Sequence, residues 1–574
     1  MERMDVKGIK ETPIWELYEK GRNYHRMTGI YADDKRNYRM YNGNQWEGVK
    51  LGGVEPIQIN FIRPIVKYKL AVIHANLYAI NYSSQNFENR EFAKQADRVC
   101  RMLNNYAARV WEKDMMDLKG RRITKDAAIN DEGILYIDYD QEKQMPVNEV
   151  IRKVDVYYGN ENDGDIQSQP YILIRKRMSL SNAIEWALSK GLSQEKAEYI
   201  IGDNDNFEQS GEASELELDN MVTIVYKLYK KDGTVHFSAS SRLVTIIEDK
   251  DIGLSLYPIA HFVWEDKAGS ARGEGEVRGL IANQIEVNKI VMRRAITVKS
   301  QAYPHKVVDT DKVENPGALD TVGGTIRAKG QTVDDVRKVV GTIPPAQMSP
   351  DVKELEQDLI QKSRDLAGAG ETATGEVNAE DASGRAILAV QQASQAPMTE
   401  QKEGFKGLVE DAARIYLEYM IVYSPEGVKL EEEITDPATG ETYTQLVTVP
   451  QITLKQLQAT VKVDITPKSA YDRFAQERTL ENFFMGGLLT PQKVGELEIY
   501  ANLLDDDSVT PKRKLLEAVE RIKEEQQKIA QIQAKGNMLS QMMQQYLMGG
   551  PEEQATRMAQ AQMGGIAPVQ QAAV

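Results

Sequence analysis

Residues 271–304 read ARGEGEVRGLIANQIEVNKIVMRRAITVKSQAYP, and the reading of this stretch decides the fold. Val277, Leu280, Ile281, Val287, Val291, Ala295 and Val298 recur at mostly three- and four-residue steps, which is the period of one helix face. About 26 helical residues would span ~40 Å. The apolar stripe is thin, and Gln284 and Asn288 interrupt it. So narrow a stripe suits a helix packed beside a copy of itself better than one sunk in a globular core. The helix stops sharply at Tyr303-Pro304. At its start, GEGEVRG (Gly273–Gly279) mimics a dinucleotide loop. The spacing is G-x-G-x-x-x-G and no βαβ unit follows, so a flexible helix start is expected instead of a cofactor site.

Downstream, a compact block from Tyr303 to Pro345 is punctuated by Pro316-Gly317, Gly323-Gly324 and Gly341. Ser349-Pro350-Asp351 then caps a second helix with Val352, Leu355, Leu359 and Leu366 on one line. Two helices flanking a small insertion make a hairpin with a knob at its tip. LAGAGETATGEVNAEDASG (Leu366–Gly384) follows, small, polar and flexible. Ser383 is expected to cap a very long helix running to about Tyr423 and kinked at Pro397. Strands return between Glu431 and Thr466. Lys512–Lys535 is a charged helix carrying Leu515, Val519, Ile522, Ile529 and Ile532, and beyond Gly549 the Gln-, Ala-, Met- and Gly-rich tail is expected to be disordered.

Upstream, Thr12-Pro13 starts a helical stretch that runs with breaks to about Tyr41. Trp46–Asn60 is expected to be extended. Pro64 opens a helix with Ile62, Val66, Leu70, Ile73 and Leu77 on one face, and a longer helix covers Glu91 to Leu118. GILYIDYD (Gly133–Asp140) alternates as a strand, with more strands over Ile151–Tyr158 and Tyr171–Arg175. Two short Ser-capped helices end at Gly191 and Gly202, and Asp232-Gly233 turns a hairpin within MVTIVYKLYKKDGTVHFSAS. The class is α+β, predominantly helical.

Composition narrows the chemistry. At 574 residues the chain exceeds one core, and 41% hydrophobic with 27% charged residues is ordinary for a globular protein. There is no long apolar run for a membrane span and no signal-peptide pattern at the N-terminus. Cys100 is the single cysteine, which fits a reducing compartment. A net charge of −15 argues against tight general DNA binding, though not against letting DNA slide past. GETATGE (Gly370–Glu376) has the glycine spacing of a phosphate loop, but Glu376 stands where a lysine is needed. His25, His74, His236, His261 and His305 show no metal-ligand spacing, and no carboxylate pair stands out as catalytic. No enzyme, cofactor or metal is expected. Lys289, Arg293, Arg294 and Lys299, with Lys306 just beyond, cluster toward the end of the first long helix. They read as a solvated face complementing the helix dipole, or else as cations near a phosphate backbone or an adjacent subunit.

The order of parts resembles the portal proteins of tailed bacteriophages, most of all those of short-tailed phages with an extended C-terminus. GEGEVRGLIANQIEVNKIVMRRA, AAINDEGILYIDYD and VKVDITPKSAYDRFAQERTLENFFMGGLLTP carry the resemblance, and their order is more specific than any one of them. It implies a wing over 1–270, a stem of two helices over 271–302 and 346–367, and a clip over 303–345. It also implies a tunnel loop over 368–383, a kinked helix and wing strands over 384–470, crown helices over 471–545 and a flexible tail over 546–574. The first helix would then stop at Tyr303-Pro304 because the chain leaves the stem to build the clip.

The same resemblance implies a homo-oligomeric ring, typically of twelve, at one capsid vertex. Double-stranded DNA would be packaged and ejected through it. Implied partners are the packaging terminase motor, tail adaptors, and the major capsid and scaffolding proteins, with assembly in the host cytoplasm and no membrane. Glu371, Thr372, Thr374, Glu376, Asn378, Glu380 and Asp381 would face the lumen. Lys289, Arg293, Arg294, Lys299 and Lys306 would lie near DNA, and Asp309, Asp311, Lys312, Arg327 and Lys329 would meet the motor or adaptor. A head–tail adaptor ring is the alternative, but adaptors are smaller and lack an insertion between paired long helices.

Overall fold

The computed structural model describes residues 11–49, 55–83, 90–203, 220–302, 305–321, 324–327, 329, 340–343, 347–370, 396–435, 442–457 and 460–467, with scattered positions from 519 to 541. The chain divides into two compact units, Met1–Thr466 and Pro467–Val574. The expected crown and tail fall in the second unit and lie almost wholly outside the described residues.

The first unit begins with α1 (Pro13–Thr28), α2 (Ile30–Asn42) and α3 (Ile62–Ile73). The Thr12 side chain accepts from Trp15 N at 3.3 Å, and Gly29 (φ 80°) ends α1, so the expected break in this helical stretch is at that glycine. Strand β1 (Asn76–Ser83) follows, then α4 (Arg90–Lys113) and α5 (Met116–Asn130). Two expectations fail here. Leu77 belongs to β1 and not to the preceding helix; β1 pairs with β14 (Thr460–Pro467), far along the chain. The helix read to Leu118 ends at Lys113, because Met115 takes a left-handed conformation (φ 50°) and a separate helix starts behind it.

Next come β2 (Glu132–Asp140), β3 (Met145–Ile151), β4 (Val156–Tyr158), β5 (Tyr171–Ser179), α6 (Leu180–Ser189) and α7 (Gln194–Ala197). They are followed by β6 (Met221–Lys231), β7 (Thr234–Ser240), β8 (Thr245–Asp251) and β9 (Ile259–Val263). These strands form an antiparallel sheet in the order β3-β2-β9 and another in the order β4-β5-β6-β7-β8. The predicted turn at Asp232-Gly233 (φ 53° and 89°) joins β6 to β7. Trp15 and Tyr18 of α1 cover one face of the larger sheet over Tyr157, Leu173 and Val225, while α6 covers the other with Ala183 and Ala187.

Helix α8 (Glu276–Ala302), strands β10 (His305–Val308) and β11 (Val340–Ile343), and α9 (Asp351–Leu366) make the hairpin with its tip. Then α10 (Thr399–Tyr423) runs through the core, burying Phe405, Val409, Ala413, Tyr416 and Met420. Its tyrosines bond outward to the sheet: Tyr416 Oη donates to Asn148 Oδ1 at 2.8 Å and Tyr419 Oη to Ile137 O at 2.9 Å. Pro397 sits in a short 3-10 turn that leads into α10, so between it and Tyr423 the helix is not kinked by it; the expected helix start at Ser383 lies outside the described residues. β12 (Val428–Thr435) and β13 (Thr442–Val449) pair as a ribbon, and α11 (Gln451–Leu457) precedes β14.

The opening stretch proves to be more deeply embedded than its thin stripe predicts. Gln284 and Asn288, read as polar interruptions facing a neighbouring copy, are 0% and 3% exposed within this chain. They satisfy the backbone of the extended segment before α3. Phe61 N donates to Gln284 Oε1 at 3.0 Å, Gln284 Nε2 donates to Ile59 O at 2.7 Å, and Ile59 N donates to Asn288 Oδ1 at 3.2 Å. Asn288 Nδ2 donates in turn to Gln45 Oε1 at 2.5 Å. A buried amide needs these partners, and an irregular segment supplies them where helix and sheet cannot.

Replacing Gln284 with leucine would complete the apolar stripe but strand Phe61 N and Ile59 O. We expect the variant to lose about 2 kcal/mol of stability by thermal or urea unfolding. Unchanged or raised stability would show that the stripe, and not the amide, governs this contact.

Candidate functional site

The hairpin rises from an ionic base. Arg272, buried just before α8, donates from Nη1 to Glu132 Oε1 at 2.5 Å, and from Nε and Nη2 to Glu161 at 2.8 and 3.0 Å. Nη2 also reaches Val156 O at 2.8 Å and His25 Nε2 at 3.0 Å, Nη1 reaches Lys153 O at 3.3 Å, and the guanidinium lies 4.8 Å from the Tyr158 ring centroid. His261 Nε2 is 2.7 Å from the second Glu132 oxygen. Every guanidinium donor thus has an acceptor.

The following glycines are not a flexible start. Glu274 N donates to Glu265 O at 2.9 Å, and Gly275 N donates to Asp131 Oδ1 at 2.8 Å. A Cβ at Gly275 would sit 2.9 Å from Asp131 N, and one at Gly273 would run into the Glu265 carbonyl. These glycines serve close packing, not mobility.

Charge sets the protonation states in this base. Burial, aided by Arg272, lowers His25 to about 4, so the ring is neutral and its Nε2 accepts from the guanidinium. Burial alone would raise Glu132 and Glu161, but Arg272 with His261 and Lys153 holds the first at about 2, and Arg272 holds the second at about 2. Arg272 itself is pushed further up by the two carboxylates against the cost of burial.

Above this base the helix emerges. Its buried residues run from Val277 to Met292, whereas Ile296 and Val298 beyond them are 41% and 63% exposed. On α9 only Glu356 and Ser363 are buried, while Leu355 and Leu366 are 51% and 85% exposed. The two helices are joined by an Arg294–Glu356 ion pair and by Asn283 Nδ2 donating to Ser363 Oγ at 3.0 Å. At the tip, β10 and β11 pair antiparallel from His305↔Ile343 to Val308↔Val340.

The candidate cations are mostly compensated within the chain. Glu286 lies 3.1 Å from Lys289 and 3.9 Å from Arg293, and Arg294 is held by Glu356. Lys299 is exposed, and Lys306 Nζ donates to Leu319 O. Of the clip candidates, Asp309 pairs with Lys312 at 3.3 Å, and Asp311 N donates to Asp309 Oδ1 at 3.2 Å. Backbone bonds tie in the rest: Glu314 N to Arg327 O at 2.9 Å and Lys329 N to Lys312 O at 2.8 Å, leaving the side chains of Asp311, Arg327 and Lys329 exposed. Glu371, Thr372, Thr374, Glu376, Asn378, Glu380 and Asp381 lie outside the described residues. Among the described residues no group of acidic, histidine or cysteine side chains could hold a metal, and no helix is long and apolar enough to cross a membrane. Sequence reasoning missed Arg272, Glu132 and Glu161, which no local spacing connects.

The family described as Phage P22-like portal protein matches residues 21–572. The chain belongs to that family. The α+β, largely helical architecture is therefore the portal fold, and the function is that of a portal, a DNA-packaging channel in a virion. The portal family is structural. No curated protein matches the sequence. Among solved structures, a chain from the neck of an empty GTA particle is similar at 10% identity, covering 73% of this chain and 85% of that one with a TM-score of 0.33.

The ionic base predicts acid lability with a definite sign. His25 is lowered from 6.5 to about 4, so its contribution is complete above pH 6.5 and is lost as pH falls toward 4. Glu132 and Glu161, lowered from 4.5 to about 2, lose theirs in the next window down. Thermal unfolding followed from pH 7 to pH 3 should show a falling midpoint, and His25→Asn should flatten the upper part of that curve. A midpoint constant down to pH 4 would contradict this assignment.

Proposed function

We propose that twelve copies of this portal close into a ring in which α8 and α9 line the stem. The carrying observation is the exposure of Ile296, Val298 and Leu355 beyond the point where the body stops covering the hairpin. Apolar side chains left in water favour burial against a like surface, and a ring of copies provides one to every subunit. Residues 303–345 form the clip, where Asp309, Asp311, Lys312, Arg327 and Lys329 meet the terminase motor and later the tail adaptors.

Residues 368–383 form the tunnel loop, and its Glu371, Glu376, Glu380 and Asp381 keep DNA from sticking. With Lys289, Arg293 and Arg294 countered by Glu286 and Glu356, the stem grips phosphate weakly, as a conduit must. Residues 471–545 form the crown. The ring assembles with scaffolding and major capsid proteins in the host cytoplasm, and a separate ATPase drives translocation.

Replacing Ile296 and Val298 together with aspartate should leave circular dichroism and thermal midpoint nearly unchanged but abolish rings in native mass spectrometry. Twelve-fold rings from the double variant, or a wild-type protein that forms no ring under any condition, would overturn the reading.

A further inference from the structure

A cleft of about 730 Å3 lies where β2 and β3, α6, β6 to β8 and the C-terminal end of α10 converge, away from the hairpin. Aromatic rings line it in two groups. Tyr139, Tyr419 and Tyr423 pack together with centroids 5.3 to 5.6 Å apart. Trp186 stacks on Tyr226 at 5.8 Å, and Phe237 meets Tyr226 edge-on at 5.2 Å. Asp138, Asp140, Glu142 and Glu149 line the cleft together with Lys190 and Lys250, and Asp140 is paired with Lys143 at 3.0 Å. Asp138 is exposed, and no cation pairs with it among the described residues.

The chain itself shows what such walls accept. Lys176 Nζ lies 5.2 Å from the Tyr136 centroid and 5.8 Å from that of Tyr226, and it pairs with Glu149. An ammonium between ring faces with a carboxylate counter-ion is a cation–π arrangement. The rest of the cleft repeats those ingredients around space that no side chain of the described residues fills.

We propose that this cleft docks a flexible basic segment of a partner protein, seating an arginine or lysine between the two aromatic groups with Asp138 as its counter-ion. The aromatic walls supply area at small cost in side-chain entropy, and the carboxylates supply selectivity for positive charge.

The test is a titration of fluorescein-labelled N-acetyl-Arg-Gly-Arg-Gly-Arg amide against the full-length protein, as monomer and as ring, read by anisotropy and by tryptophan emission. Saturable binding is expected in both states. It should weaken at least tenfold in Asp138→Lys and less than twofold in Glu195→Lys, which makes the same charge change on exposed α7. Trp186→Phe should keep most of the binding but lose the emission change. Absent saturation, or equal losses from the two charge reversals, overturns the proposal. Binding to the monomer that vanishes on ring formation also overturns it, because the cleft would then belong to a neighbouring subunit.

Discussion

A guanidinium shut away from water must find all its acceptors inside the protein, and Arg272 draws them from several separate parts of the chain. Glu132 comes from β2, Glu161 from the loop after β4, Val156 O from β4 itself, Lys153 O from the turn before it, and His25 from α1. Removing one member of such a network leaves an uncompensated buried charge, at a cost of about 3–5 kcal/mol. The residues immediately after Arg272 are pinned to Asp131 and Glu265, so α8 starts from a fixed point and in a fixed direction. The Lys69–Glu276 pair, with Trp264 Nε1 donating to Glu276 Oε2 at 3.3 Å, repeats the fastening one turn on.

From that fixed start the helix changes character along its length. Its first half is wired to the body by Gln284 and Asn288, and its second half is tied to α9 through Arg294 and Glu356. A helix held at one end and bare at the other suits a subunit that must present the same surface at the same angle to each neighbour. Rigidity at the base supplies the angle, and exposed Ile296 and Val298 supply the surface. The cations beside them, Lys289 and Arg293, are countered by Glu286.

The parts of this architecture that were legible in the sequence are those encoded locally. The ends of α8 and α9, the strand character of Ile134–Tyr139 and the Asp232-Gly233 turn each rest on periodicity or turn chemistry within a few residues. Where the partner is distant, the reading failed. Gln284 looked like an interruption because Phe61 and Ile59, its partners, lie more than two hundred positions away. Asn76–Ser83 lacked a visible mate because β14 is near residue 460. The break at Met115 carries neither glycine nor proline, and only its left-handed backbone reveals it. The buried ionic base was invisible for the same reason, since nothing in the spacing of Arg272, Glu132 and Glu161 suggests that they meet.

The central claim is that α8 is half owned by its own subunit and half reserved for a neighbour. Hydrogen–deuterium exchange on monomeric and ring-assembled protein tests it most directly. Residues 276–292 should be slow to exchange in both states, whereas 293–302 and 351–366 should slow markedly only in the ring. Equal protection of the whole helix in the monomer, or fast exchange at 276–292 before assembly, would contradict the account.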